Sequence, residues 1–182
     1  MKSPEMWNGK TAMLLPETPR LVFREFGEAD LPELAGLLAD PKVMQYSWQG
    51  PRDLDGSREV LAGFQRTYRE LGFGTWALFD RDGGEFVGYC GLERCAVVDV
   101  NELELGYRLN RKFWGQGLAA EAAAAAVKHA FDIARLTCVI AFVEPANAAS
   151  VRVLEQTGFR RTASAVPMNG KAMDIYRIAA PE

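Results

Sequence analysis

The sequence is poor in the features that mark a membrane, nucleic-acid or metal-binding protein. No apolar stretch approaches the roughly 20 residues needed to cross a bilayer. Met1 to Lys10 lacks the apolar core of a secretion signal. Basic residues are not clustered: 21 against 24 acidic ones leave a net charge of −3, without the patch that a phosphate backbone demands. Cysteine is scarce and odd in number. Cys90, Cys95 and Cys138 each stand in an apolar run with no zinc-ligand spacing, and read as small core residues in a reducing compartment. The single histidine, His129, falls within a helical pattern and reads as packing or surface. These absences predict a cytoplasmic protein without a metal, a membrane or a nucleic-acid partner. What is present is ordinary: 182 residues, 48% hydrophobic and 25% charged, suit one sizeable core and are short for two domains.

Residues 1–19 carry three prolines and no sustained period, and read as an N-terminal arm before a domain over 20–179. Leu21, Phe23 and Phe26 predict a strand over 20–26. Asp30, Pro32 and Glu33 predict a capped helix that ends before Pro41. A second helix is expected over 54–71, with Asp53 as cap, Gly72 as stop, and Val60, Leu61, Phe64, Tyr68 and Leu71 on one face. The period then changes. Strands at 75–79 and 86–90 flank Arg81-Asp82-Gly83-Gly84, a hairpin signal, and 103–109 continues the meander. An alanine-rich helix over 118–134, a strand over 137–143, a short helix over 146–157 and two strands near 159–164 and 172–178 complete the chain. There is no internal repeat. The order β-α-α-β-β-β-α-β-α-β-β predicts one α+β domain.

The most informative stretch is Glu104-Leu-Gly-Tyr-Arg-Leu-Asn-Arg-Lys-Phe-Trp-Gly-Gln-Gly-Leu-Ala-Ala-Glu-Ala122. A strand leads into a glycine-bearing turn and a helix with no Ser, Thr, Asp or Asn just before it. Such a helix start offers free amides and a positive dipole end to a phosphate group. Arg111, Lys112 and Arg152 are candidates to add charge. Gly115 and Gly117 also read as nothing more than a tight strand-to-helix turn. Gly115-Gln-Gly117-Leu-Ala-Ala120 matches the letters of the dinucleotide fingerprint. Five residues separate it from the strand, however, and the preceding strands form a meander instead of βαβ units. The P-loop pattern is absent.

A second segment, Glu144-Pro-Ala-Asn-Ala-Ala-Ser-Val-Arg-Val-Leu-Glu-Gln-Thr-Gly-Phe159, resembles the Asn-x-x-Ser, short helix and Gly-Phe that follow the fifth strand in GNAT-superfamily acetyltransferases. The glycine turn and long helix resemble the same superfamily's acetyl-CoA pyrophosphate loop. The run from Glu104 to Ala122 is most similar to the branch that acetylates ribosomal-protein N-termini, the RimJ/RimL type. The resemblance spans roughly 20–179. It implies a mixed, mostly antiparallel sheet of about seven strands flanked by about four helices, with acetyl-CoA in the splay between the central strands. It departs from the family pattern twice. Lys112 stands where Gln or Arg is usual, and Leu154 stands where many members carry a tyrosine acid.

By resemblance, the coenzyme is held by Lys112, Trp114, Gly115, Gln116, Gly117, Leu118 and Ala119, by the backbone of Tyr107 and Leu109, and by Asn147 and Arg152. Attack is direct, so no Cys or Ser nucleophile is implied. Glu104 is the first candidate for general base, with Glu102 and Glu93 behind it. Its alternation with Leu103 and Leu105 equally fits an exposed strand carboxylate. Ser150 is the candidate to position or protonate the leaving sulfur. Asn147 reads as a helix cap as well as a pantetheine contact. Trp48, Trp76, Tyr46 and Phe73 read as core or as acceptor-pocket lining. The function implied is acetyl transfer from acetyl-CoA to a primary amine, with a non-catalytic acyl-CoA-binding module as the alternative. The acceptor is a protein N-terminus or a small amine, and specificity is expected in 40–55, 70–76 and 164–173. A homodimer is the candidate assembly.

Overall fold

A computed structural model of the chain describes residues 15–47, 49–94, 103–168 and 170–181. Most of the expected N-terminal arm, together with Trp48, Cys95 and Glu102, lies outside the described residues. The first strand, β1 (Leu21–Arg24), is shorter than expected, and a single 3-10 turn (Glu28–Asp30) joins it to helix α1 (Leu31–Ala39). Asp30 does not cap α1. Its carboxylate turns back to take the Gly27 amide at 2.7 Å and to grip the Arg24 guanidinium at 2.7 and 2.8 Å. Pro32 in the first turn has no amide to satisfy, so the side chain is released for this ion pair.

Helix α2 (Leu54–Leu71) has the boundaries its caps dictate. Asp53 accepts the Gly56 amide at 2.8 Å, and Gly72, at φ 75°, ends the helix in a left-handed turn. Leu61, Phe64 and Tyr68 form its buried stripe. The strands β2 (Thr75–Asp80), β3 (Phe86–Arg94) and β4 (Leu103–Leu109) form the antiparallel meander. Helix α3 (Leu118–Asp132), β5 (Cys138–Val143), helix α4 (Ala148–Gln156), β6 (Arg160–Met168) and β7 (Lys171–Ala179) follow.

The seven strands lie in the order β1-β2-β3-β4-β5-β7-β6, antiparallel throughout except for β4 and β5. The pleat assigns the faces. Trp76, Cys90 and Tyr107 line up across β2, β3 and β4 toward α3, whose Ala122, Ala123, Ala126 and Ala130 are fully buried. His129 is buried there, its ring centroid 4.9 Å from that of Trp76, a packing role. Cys138 is half-buried, so of the two described cysteines only Cys90 belongs to the core. The opposite face carries Tyr89, Gly91 and Glu93 of β3 beside Arg108, Gly106 and Glu104 of β4, and α1 and α2 cover it. Among the described residues, no helix is long and apolar enough to cross a membrane.

Candidate active site

The one parallel pairing in the sheet is also its weakest. β4 and β5 share only the positions Leu103–Val139 and Glu104–Ile140, and beyond Glu104 the two strands separate. Backbone from Leu105 to Leu109 therefore has no β5 partner, which is the splay the sequence resemblance implies. A cavity of about 140 Å³ opens at this point, lined by Glu104, Tyr107, Arg108, Glu144, Asn147 and Ser150 among others.

At one end of the separated strands lies the glycine turn. Gly115 (φ 74°) and Gly117 (φ 77°) both adopt left-handed backbone, which a residue with a Cβ enters only at a cost of about 1 kcal/mol or more. Gly117 occupies the N-cap position of α3 with no side-chain cap, so the first amides of the helix keep their donor capacity for an anion. Leu118 buries its side chain, leaving its backbone to the turn, and Ala119 is half-buried. Gln116 is held internally, its amide donating to the Lys112 carbonyl at 2.9 Å. Trp114 is exposed, but its indole N–H donates to the Leu109 carbonyl at 2.7 Å.

Arg20, which the sequence reading passed over, reaches this turn from the opposite edge of the chain. Its Nη1 donates to the Gln116 carbonyl at 2.9 Å, and its Nε to Glu121 of α3 at 2.6 Å. The expected cations are otherwise engaged. Lys112 pairs with Glu85 at 2.8 Å and Arg111 with Asp40 at 3.9 Å, while Arg152 is exposed on α4.

Asn147 caps α4, accepting the Ser150 amide at 3.1 Å. Ser150 stands one turn into the helix with its Oγ 2.7 Å from the Tyr107 hydroxyl. The sequence singles out only the backbone of Tyr107, yet its side chain also lines the strand gap beside Ser150. Leu154, which stands where the resemblance leads one to look for a tyrosine, is buried and borders the same cavity. Burial pushes the Tyr107 phenol well above its ordinary value, against the hydrogen bond to Ser150, so it stays protonated at neutral pH.

Glu104 and Glu93 are direct cross-strand partners on the other face of the same strands. Burial, and then the neighbouring Glu93 charge, push the Glu104 carboxyl up to about 7, with Arg108 opposing. Glu93 is raised too, chiefly by burial, although it accepts the Thr75 hydroxyl at 2.9 Å. The two open in different directions. Glu104 lines the cavity of the strand gap, whereas Glu93 lines a larger one of about 360 Å³ between α2 and the sheet. Arg108 borders both. Its guanidinium donates to the hydroxyls of Tyr89 and, at 3.2 Å, of Ser47. Of the aromatic candidates for acceptor lining, Tyr46 borders the smaller cavity, while Trp76 and Phe73 pack against His129 instead.

Chemically, a carboxyl group raised to about 7 and a phenol–hydroxyl pair line one strand gap, and an uncapped helix start follows beyond the end of β4. Residues 20–160 match the family model of the acetyltransferase (GNAT) domain. The Bacillus subtilis protein YkkB is 35% identical over 152 residues, 83% of this chain and 86% of its own. The ribosomal protein uS5-alanine N-acetyltransferase of Escherichia coli is 26% identical over 149 residues, 79% of this chain and 77% of its own. An acetyltransferase from Agrobacterium tumefaciens has a solved structure that superposes with a TM-score of 0.81 at 27% identity, covering 96% of this chain and 99% of that one.

Proposed function

The chain belongs to the GNAT acetyltransferase family, and from that membership we propose that it transfers the acetyl group of acetyl-CoA directly to a primary amine, with Glu104 as the base and Tyr107 with Ser150 serving the departing sulfur. The ribosomal-protein alanine acetyltransferase among its relatives supports the RimJ/RimL-like branch. The observation that carries the mechanism is the parting of β4 from β5 just past Glu104, with the Tyr107–Ser150 pair beside the same gap.

The residues fit the coenzyme at three points. The Gly115–Gly117 turn and the uncapped start of α3 suit its diphosphate, the unpaired edge of β4 suits the amides of its pantetheine arm, and the Tyr107–Ser150 pair suits its sulfur. Lys112, Trp114, Gln116, Leu118, Ala119, Asn147 and Arg152 surround this path in the proposal.

Glu104 takes a proton from the acceptor amine, directly or through one water, and its value near 7 balances basicity against ionisation at neutral pH. The freed nitrogen lone pair forms the N–C bond at the thioester carbonyl carbon, and the C–S bond breaks with its electron pair going to sulfur. Tyr107 donates a proton to that sulfur through or alongside the Ser150 hydroxyl. The acceptor starts as an ammonium ion, so nitrogen gives up a second proton to solvent as the amide forms; overall sulfur gains one proton, one is released, and solvent restores both side chains.

Release of free thiol from acetyl-CoA, measured across N-terminal peptides and small amines, tests the reading. Wild type should release thiol with one acceptor class, and Glu104→Gln and Tyr107→Phe should both lose most of that rate. A Glu104→Gln protein of undiminished rate would remove Glu104 from the base role.

A further inference from the structure

The larger cavity holds more positive charge on its inner surface than its own residues neutralise. At its rim the charges balance: exposed Arg94 pairs with exposed Glu70 at 3.5 Å, and exposed Arg66 and Glu59 share the same wall. Deeper in, the balance fails. Arg108 donates to the neutral hydroxyls of Tyr89 and Ser47; the Glu93 and Glu104 carboxyl groups act on it through space, but it makes no direct ion pair among the described residues. Arg52, half-buried in the same cavity, leaves its Nε buried without a hydrogen-bond acceptor among the described residues. The carboxyl group that lines this interior is Glu93, which burial biases toward its neutral form. A guanidinium does not shed its proton, and its planar fork suits a carboxylate. Arg108, which has no direct ion pair, and Arg52, whose Nε is unused, leave that capacity open toward the larger cavity.

On β4 the strip between Arg108 and Glu104 is bare at Gly106, which lines the strand gap and whose added Cβ would meet only Glu93 Oε1, at 3.9 Å; its cross-strand partner Gly91 lies under the Gly74–Thr75 backbone. A cavity of about 360 Å³ suits a small molecule, and Leu38, Met44, Val60 and Phe64 give it an apolar wall.

We infer that the acceptor is a small amine that also bears a carboxylate, its carboxylate held by Arg52 and Arg108 in the larger cavity and its amino end directed past Arg108, which borders both cavities, toward Glu104 in the strand gap. The amino-end assignment rests on the acetyl-transfer reading; the carboxylate end does not. A polyamine is disfavoured at such a site, because its second cation would meet two guanidinium groups.

The test compares the standard L-amino acids with their amides and with the corresponding decarboxylated amines, with spermidine alongside. Calorimetric binding to the CoA-saturated protein is measured in parallel with thiol release from acetyl-CoA. At least one amino acid should bind about tenfold or more tighter than its amide, and tighter still than the decarboxylated amine. Arg108→Gln should bring the three members within about twofold of one another, with Arg108→Lys keeping part of the preference. Arg52→Gln, at a half-buried site with no side-chain hydrogen bond to lose among the described residues, should weaken it without affecting folding. The inference is overturned if no amino acid binds more tightly than its amide, if spermidine binds best, or if Arg108→Gln weakens all three members equally. A carboxylate preference in calorimetry without thiol release would sustain the inference and defeat the acetyl-transfer mechanism. Release with acids and amides alike would do the reverse.

Discussion

The Tyr107 hydroxyl lies 2.7 Å from Ser150 Oγ, joining the middle of β4 to the first turn of α4 across the gap where β4 and β5 part. Two hydroxyls so placed can pass one proton between them, so they should act as a unit on the leaving sulfur. Tyr107→Phe and Ser150→Ala are each expected to lower kcat by about 10- to 100-fold. The double variant should be little worse than the worse single one, because groups that act together are not additive. Steady-state kcat at saturating acetyl-CoA checks this. Multiplying penalties would mean that the hydroxyls serve separate steps.

The carboxyl pair makes activity depend on pH in a stated direction. With Glu104 titrating near 7, kcat at saturating acceptor should rise through an apparent value near 7 and then level off. Glu93 is one of the causes that raise Glu104, so Glu93→Gln should move the limb to lower pH, and Glu104→Gln should abolish it. Stability should run the other way. Both carboxyl groups are raised above their ordinary value of about 4.3, so the folded state prefers them protonated, and stability is lost as pH rises from there through about 7. Thermal melts of wild type and Glu104→Gln across that window should diverge progressively, the variant being relatively more stable at the upper end.

Arg20 fastens the entry of β1 to the glycine turn through the Gln116 carbonyl and Glu121. The arginine side chain is half exposed, and an exposed ion pair of this kind contributes at most about 1 kcal/mol to stability. Its larger effect should be on the shape of the turn. Arg20→Ala is expected to melt within a few degrees of wild type while weakening coenzyme A about tenfold by calorimetry. An unchanged affinity would show that the turn holds its own conformation.

Local signals were read well from the chain alone. Asp53 and Gly72 mark α2 at both ends, the Leu103–Leu109 strand has its expected limits, and Asn147 caps α4. Contacts set by register were not. Tyr107 meets Ser150 from 43 positions away, and which face of β4 it occupies depends on pairing with β3. The same pairing sets Glu93 against Glu104, so one of the two carboxylates placed behind Glu104 stands directly opposite it. Arg20 and Arg108 carried no motif, since their partners stand on distant elements. Asp30 had the letters of a cap, but Arg24, six residues earlier, competes for the same carboxylate and wins it.

Gly106 separates a folding role from a substrate role. A methyl group there would meet nothing closer than Glu93 Oε1 at 3.9 Å, and its opposite neighbour is Gly91. Gly106→Ala should therefore fold normally, and an added Cβ in a strand can raise stability by roughly 0.5–1 kcal/mol. The methyl group would nevertheless stand on the bare strip between Arg108 and Glu104, where an acceptor must lie to reach both. The expected result is a melting temperature at or above that of wild type together with an acceptor KM raised about tenfold or more. Gly91→Ala is not an equivalent probe. Its Cβ would come within 2.2 Å of the Gly74 carbonyl and 2.4 Å of Thr75 Cα, so it should break the sheet before it blocks the site. A Gly106→Ala enzyme with unaltered acceptor kinetics would mean that the acceptor does not cross this strip, and that Arg108 serves the coenzyme side of the gap alone.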